Sequence, residues 1–513
     1  MPTRRQVLKT VGAAAAVAAL PSGLARAQGK KAALTIALPS TPETIDPHQF
    51  RSVLSGSIVG LMGEGLLTRD PQTMELKPLL AESWRNVNPT TWEYKLRKGV
   101  KFHNGEDFTG ESVKFTIERI AHSKLNTLGK LTFPPAFGQE VTVVDPHTVR
   151  ITTKVPDPMN PARLAAESMN MAPAKGLADF KEKFVTDRFI GTGPFKFVEH
   201  VSGDRVVVEA NPSYWGPKPP SQKIVWQVIP DAATRMAALQ RGDIDVMLNL
   251  PIPLAQGVEA DPNLRVYGEL SSLTHVILLN TRDGAAPLKD RRVRQALSMA
   301  IDREAVIKNL YAGRGRLLNG VAGPLVGNGM DPGPYPYDPA GAKKLLAEAG
   351  HPNGFELAFW QSIGRWTLSE ETAQIIAGYW DKIGVKTKLQ MLEWAEYNKR
   401  SGGGQQKDAF YYAFINATWD VSYMLQRFKP SFTAFRYYDA TGPFLKTLED
   451  YDVTFDPKKR KELAAAGLKF ARDEAVWVTL WQLDQLTGVS KKVKGFKIRA
   501  DDVIWARDAY VEA

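Results

Sequence analysis

The chain has no cysteine, so packing alone must hold 513 residues together. No disulfide, thiolate zinc site, iron–sulfur cluster or cysteine nucleophile can exist in it. So much chain exceeds what one core can use, and two or three domains are expected. The material for those cores is present: 43% of residues are apolar, with 12 Trp and 22 Phe. Gly and Pro are scattered without period, which excludes collagen, and the aromatic content excludes wholesale disorder.

Residues 1–27 read as an export signal. Thr3-Arg4-Arg5-Gln6-Val7-Leu8-Lys9 precedes an alanine-rich apolar run from Val11 to Leu20, and Ala25-Arg26-Ala27 forms a small-x-small cleavage site. The paired arginines resemble the twin-arginine signal, which exports folded proteins. Ten mostly alanine residues are too short to span a bilayer of ~30 Å, so a membrane anchor is the weaker alternative. Cleavage removes four positive charges from the formal +11 and leaves a mildly basic chain of about +7. No later run is long enough for a transmembrane helix. The expected product is a soluble periplasmic protein, for which nucleic acid is not an expected partner.

Strands and helices interleave along the mature chain, which makes it α/β. Residues 31–38 read as a strand ended by Pro39, Trp92–Leu96 alternates as a half-buried strand does, and 205–209 and 223–229 are further strands. Asp290 caps a helix whose apolar positions Val293, Ala296, Leu297, Ala300 and Ile301 share one face. Asp338-Pro339 starts another that ends at Gly350, and 371–383 is a third, closed by Gly384. A strand over 355–359 precedes Trp360-Gln361, and Ser401 to Gln406 reads as a Gly-rich loop.

Catalytic patterns are missing. There is no Gly-x-Ser-x-Gly, His-Glu-x-x-His, phosphate loop or Gly-x-Gly-x-x-Gly. The seven histidines (48, 103, 122, 147, 200, 275 and 351) are dispersed, so a metal site would have to be assembled across the fold. Asp243 and Asp245 read as solvated acids more readily than as a dyad. Arg291, Arg292, Arg294 and Arg303 read as a solvated helix face. A large exported protein without reactive groups suits binding better than catalysis, and a secreted hydrolase is the rival from another class.

Read together, a series of segments is similar to the extracellular solute-binding proteins of the dipeptide, oligopeptide and nickel type, which deliver ligands to ABC importers. They are Glu43-Thr44-Ile45-Asp46-Pro47; Leu80-Ala81-Glu82-Ser83-Trp84; and Tyr94 to Gly105, with Phe108-Thr109 and Ser112 to Phe115. Gly191 to Phe195, Asn211 to Trp215 and Leu239 to Asp245 follow. Asn280-Thr281, Pro287 to Leu297 and Ala300 to Arg303 close the series. His103-Asn104-Gly105 suits a tight turn, which makes His103 structural.

The resemblance implies a two-lobed periplasmic-binding-protein fold (type II, cluster C-like) with an extra α/β domain on the first lobe. Placed on this chain, lobe I covers 33–70, 191–272 and 485–513, the extra domain 71–190, and lobe II 273–484. The implied partners are a small-molecule or peptide ligand and the permease subunits of an ABC importer with their ATPase. A monomer without cofactor or resident metal is expected. In peptide-binding members of the family, an Asp after the Gly-rich loop pairs with the ligand's α-amino group. Aligning Asp420 to the family's Asp-Pro puts Phe414 on its Trp and Ala417 on that Asp, so this anchor is lost. Asn416 or Asp420 could replace it if the register shifts. The expected cleft residues are Trp360, Gln361, Trp394, Phe414, Asn416, Ala417, Trp419, Asp420 and Trp481, with Trp366 among the aromatics and His275 as the histidine to test for a metal chelate. The expected ligand is a peptide or peptide-like amine, opine or amino-acid conjugate. A nickel chelate or sugar is the alternative, and sequence-tolerant binding of unfolded chains is a further one.

Overall fold

The computed structural model describes residues 33–42, 44–50, 52–122, 128–133, 138–175, 189–416, 418–432 and 434–512. The export signal expected over residues 1–27 and the expected cleft residue Ala417 lie outside these described residues. Of the 22 strands among the described residues, the first eighteen carry the architecture. They are β1 (Ala33–Leu38), β2 (Leu67–Arg69), β3 (Leu76–Pro78), β4 (Ala81–Asn88), β5 (Thr91–Leu96) and β6 (Glu140–Asp145). Next come β7 (Thr148–Thr152), β8 (Phe195–Val201), β9 (Arg205–Ala210), β10 (Lys223–Val228), β11 (Val246–Met247) and β12 (Leu264–Leu270). The last are β13 (Thr274–Leu279), β14 (Gly315–Leu317), β15 (Phe355–Ser362), β16 (Val385–Leu392), β17 (Ala409–Phe414) and β18 (Trp477–Ser490).

A 12-stranded sheet runs β16-β15-β17-β13-β18-β11-β1-β10-β9-β8, with β12 and β14 also paired to β18. β18 joins its two halves. Trp477 to Trp481 pair with β13, while Asp484 to Ser490 pair with β12. Fourteen extended residues reach about 46 Å, enough to cross from one half into the other. The chain also crosses through Ser271–Leu273, between β12 and β13. A separate four-stranded sheet, β4-β5-β7-β6, packs its own core of Tyr94, Leu96, Val113, Ile117, Val149 and Ile151.

The cores follow from alternation. In β13 every residue is buried: Val276 and Leu278 enter one core, Ile277 and Leu279 another. β17 does the same, with Phe410, Tyr412 and Phe414 on one face and Tyr411 on the other. A strand covered on both faces needs apolar residues at both parities, which is why Ala-Phe-Tyr-Tyr-Ala-Phe has no polar position. Helices cover these faces where their caps allow. Asp290 accepts from the Arg292 backbone N–H and starts the Arg291–Met299 helix. Asp338 accepts from Gly341 N and starts Pro339–Glu348. Gly350 and Gly384, at φ 90° and 94°, turn the chain away after their helices.

Several expectations need correcting. Trp360 and Gln361 do not follow their strand but belong to β15, which continues to Ser362. Ser401 and Gly402 are the end of the Trp394–Gly402 helix rather than loop. Asp245 is not solvated: it is buried and accepts from Thr35 N, whereas Asp243 is exposed beside Arg241. Arg291 and Arg292 lie at the surface, but Arg294 and Arg303 are buried. Arg294 donates to the carbonyls of Leu288, Lys289 and Glu474, and Arg303 to those of Ser298 and Thr479. Guanidinium donors here satisfy loop and strand-edge carbonyls that burial removes from water.

Candidate functional site

Strand direction places the site. β15 is parallel to both β16 and β17, so Ser362, Leu392 and Phe414 end on one edge. β13 is antiparallel to β17 and starts at that edge, directly after the 271–273 crossing. In the other half, β1 is parallel to β10 and β11, and their carboxyl ends point to where β18 enters. Both halves therefore aim the carboxyl ends of their parallel strands at the junction, the position where open α/β sheets bind ligands.

On the edge of the second half, Trp360 is half-buried and its indole N–H has no partner. Gln361 is fully buried. Its amide donates to Ser362 O and Ser369 Oγ, and Oε1 is unpartnered. Trp394 meets Trp366 edge-on at 5.6 Å, and the Arg365 guanidinium lies 4.7 Å over its ring. Phe414 stacks on Trp477 at 5.2 Å, with Arg427 over its ring. Tyr412 joins the two pairs, meeting Trp366 at 5.2 Å and Phe414 at 4.6 Å, and Trp360, Trp366 and Trp394 are half-buried at this edge.

The turn after β17 is held by its own side chains. Asn416 Nδ2 donates to Asp420 O at 2.8 Å, and Asn416 Oδ1 accepts from Asp420 N and Thr418 Oγ1. Trp419 takes φ 53°, and its carbonyl accepts from Gly327 N. A Cβ at Gly327 would lie 2.6 Å from that carbonyl, so only glycine fits there. Asp420 accepts from Tyr451 OH at 2.8 and 2.9 Å, from Asn328 Nδ2 at 3.0 Å and from Ser422 N, with Arg460 at 3.4 Å. Its carboxylate is engaged by the fold itself.

His275 and Trp481 are cross-strand partners at the junction, 3% and 0% exposed. His275 Nδ1 shares a 2.6 Å hydrogen bond with Tyr411 OH, and burial pushes the imidazole down to about 3, so it is neutral in the physiological range. Trp481 packs edge-on against Tyr311. His103 is also kept neutral by burial, at about 4, while it bonds Gly193 O and receives Gly191 N. The Asn211–Trp215 and Gly191–Phe195 segments converge on Glu64, which accepts from Tyr214 OH, Trp215 Nε1 and Thr192 Oγ1. Among the described residues no three His, Asp or Glu side chains gather as a metal site.

The opposite wall contains residues that sequence reasoning missed. Arg69, at the end of β2, is 6% exposed and donates to Met74 O at 2.9 Å and, across the junction, to Thr418 O at 2.6 Å. Arg499 pairs with both Glu167, at 2.8 Å, and Asp501. Ser271, in the crossing segment, donates to buried Asp502 at 2.7 Å, and Ser272 N donates to Ala500 O. Burial pushes the Asp502 carboxyl up to about 7. Trp92 of β5 and Met159, just before the Asn160–Arg163 helix, also touch the far half, Trp92 against Phe455 at 6.2 Å and Met159 Sδ accepting from Arg460 at 3.1 Å. Thr68-Arg69-Asp70-Pro71 and Arg499-Ala500-Asp501-Asp502 look like ordinary surface turns in sequence, and nothing local marks them.

Comparison with known proteins agrees with this geometry. The family described as bacterial extracellular solute-binding proteins, family 5, middle, matches residues 75–435. Heme-binding protein A of Haemophilus influenzae is 34% identical over 355 residues, 64% of this chain and 64% of that protein's length. Glutathione-binding protein GsiB of Escherichia coli strain K12 is 28% identical over 492 residues, 93% of this chain and 94% of the relative. The structure of the ABC transporter-associated periplasmic binding protein DppA from Helicobacter pylori, in complex with peptide STSA, superposes with a TM-score of 0.81. It is 25% identical and covers 94% of this chain and 98% of the other. The fold is thus the two-lobed one of periplasmic peptide-binding proteins.

Proposed function

The chain belongs to the bacterial extracellular solute-binding proteins of family 5, and from that premise we propose that it captures a peptide or peptide-like solute between its two lobes and hands it to the permease of an ABC importer. Lobe I is assigned 33–70, 191–272 and 485–513, lobe II 273–484, and the extra domain 71–190. The protein works in the periplasm as a monomer, delivered by its twin-arginine leader, and it does not turn its ligand over. Among the described residues no helix is long and apolar enough to cross a membrane.

The observation that carries this reading is the junction itself. Two sets of parallel strand ends face each other there, and Arg69 of one wall holds the Thr418 carbonyl of the other. Closure around a solute is what such a two-hinged arrangement can do. The aromatic shelf supplies ring-stacking and apolar surface, and the unpartnered Trp360 N–H and Gln361 carbonyl supply polar contacts. The buried histidines sit in structural hydrogen bonds, which suits binding rather than proton transfer.

The test is mass spectrometry of small molecules that stay with residues 28–513 after native purification from periplasm, followed by thermal-shift titration with peptides and glutathione. A co-purified or stabilising solute recovered unchanged is expected. Hydrolysis of such a compound without ligand-induced stabilisation would refute the reading.

A further inference from the structure

The two chain crossings between the halves of the large sheet lie side by side. Ser271 N donates to Leu483 O at 3.1 Å, which ties the 271–273 segment to β18 where β18 passes from one half into the other. A hairpin of the C-terminal segment covers this place. Its arms, Lys497–Ile498 and Ile504–Trp505, pair antiparallel, and its turn carries Arg499 to Val503. The hairpin is anchored within the part assigned to lobe I, since Ile504 N donates to Ser57 Oγ of the Val53–Met62 helix at 2.9 Å. Its turn grips the crossing segment twice. Ser272 N donates to Ala500 O at 3.1 Å, and Ser271 Oγ donates to Asp502 Oδ2 at 2.7 Å while accepting from Leu273 N at 2.9 Å.

The second grip is a carboxyl group buried without a cation. Asp502 is 8% exposed, and no cation among the described residues pairs with it. Arg499 lies on the same turn, but its guanidinium is taken by Glu167 of the 165–170 segment, at 2.8 Å, and by Asp501. Asp501, the neighbour of Asp502 on the turn, adds a like charge. The crossing segment offers only hydroxyls and backbone, and the Val53–Met62 helix has no titratable side chain. On β18, Asp484 stands opposite Leu270, with Arg314 and Arg316 as its counter-charges. A carboxylate out of water beside a like charge and without a counterion is costly, and a bound proton removes that cost. Burial accordingly pushes the Asp502 carboxyl up to about 7.

We propose that the hairpin turn and the crossing segment form a proton-linked hinge clamp: with Asp502 neutral the clamp holds and the lobes close, and with Asp502 ionised water enters the clamp and the lobes open. Rotation of one lobe against the other must turn the 271–273 backbone, because the chain crosses there, whereas the hairpin stays with the helix that anchors it. Opening therefore draws Ser271 and Ser272 off the turn and rehydrates the carboxylate. The closed form holds the proton more tightly than the open form, so lowering the pH through neutrality favours closure. Closure takes up as much as one proton, and solute capture strengthens on the acid side. The clamp touches no solute. It regulates the cleft, and so it rests on the two-lobed solute-binding reading.

The absence of cysteine makes a direct test available. Val87→Cys and Val453→Cys accept nitroxide spin labels at two exposed positions, one on β4 and one ending the Gly442–Val453 helix, on either side of the Trp92–Phe455 contact. Double electron–electron resonance on dialysed residues 28–513, with no solute added, reads the long-distance and short-distance populations at pH 5 and pH 8. The ratio of open to closed should rise about threefold or more from pH 5 to pH 8. With Asp502→Asn added the clamp is permanently neutral, and the ratio at pH 8 should stay close to its pH 5 value. Glu64 and Glu167, whose carboxyls burial also pushes up, remain in that variant, so the comparison assigns the effect to Asp502. Ser271→Ala is the independent arm if a thermal melt shows Asp502→Asn to be unfolded: it should raise the open population at pH 5 towards the pH 8 level. A ratio that does not move with pH, or that moves equally in Asp502→Asn, overturns the clamp. So does a Ser271→Ala protein as closed at pH 5 as wild type. Each of these leaves solute binding standing, which the co-purification experiment judges by itself.

Discussion

Asp502→Asn tests how the crossing segment is held. Asp502 sits at φ 68°, a left-handed conformation that asparagine adopts as easily as aspartate. Its Oδ2 accepts from Ser271 Oγ, and an amide oxygen can take that hydrogen bond over. The substitution therefore removes a titrating group and little else. Burial is the main cause of the raised carboxyl, the Asp501 charge adds to it, and the Ser271 hydrogen bond opposes it. With a folded value near 7 against an unfolded value of 3.8, the folded protein holds more protons than the unfolded chain between those limits. Stability from this group is thus complete below pH 3.8, falls as pH rises, and levels off above 7. About three pH units at roughly 1.4 kcal/mol each put a ceiling of about 4 kcal/mol on the loss. Urea unfolding of wild type and variant at pH 4, 5, 6, 7 and 8 measures it, since all other groups cancel in the difference. The variant should gain on wild type by 1 kcal/mol or more, up to the ceiling of about 4 kcal/mol, from pH 4 to 8. A difference constant to within about 0.5 kcal/mol would show that Asp502 is not desolvated as argued.

Three further outcomes are expected. Asp46→Asn should cost about 3–5 kcal/mol in urea unfolding, because Arg119 is nearly buried and its Nη1 and Nη2 both pair with that carboxylate, while Nη1 also donates to His48 Nδ1. Gly354→Ala should cost well over about 1 kcal/mol: φ is 73°, and the new Cβ would fall 1.7 Å from Gly384 O, backbone that cannot yield cheaply. Phe455→Ala should favour the open form, since an aromatic pair is worth about 0.5–1.5 kcal/mol and Trp92–Phe455 spans the extra sheet and the far lobe. Small-angle scattering of the variant should give a larger radius of gyration, and an unchanged radius would count against a closing role for this contact.

Much of the secondary structure was legible because its causes are local. Pro39 ends β1, and Asp290 and Asp338 each cap a helix within three residues of themselves. Alternation marked β5 to within a residue, and the strands expected over 205–209 and 223–229 are β9 and β10 to within a residue. The helix expected over 371–383 runs Ser369–Lys382. Errors arose where a partner lies far along the chain. Arg303 looks like a solvated helix residue until Thr479 O, 176 residues later, accepts from it. Asp245 looks solvated until the Thr35 N–H, 210 residues earlier, donates to it.

The candidate site divides in the same way. Sequence alone determined a cysteine-free α/β chain, the family resemblance, and the aromatic residues near the ends of β15 and β17, since composition, caps and motifs reside in contiguous residues. The tertiary structure decided that Asp420 is spent on Tyr451, Asn328 and Arg460, and that His275 and Trp481 are interior. It also decided that Arg499, in the C-terminal segment, pairs with Glu167 at 2.8 Å, and that Arg69, at the end of β2, reaches across the junction to Thr418 O. Charge complementarity between segments hundreds of residues apart has no sequence period. It exists only once the sheet has brought their backbones to one place.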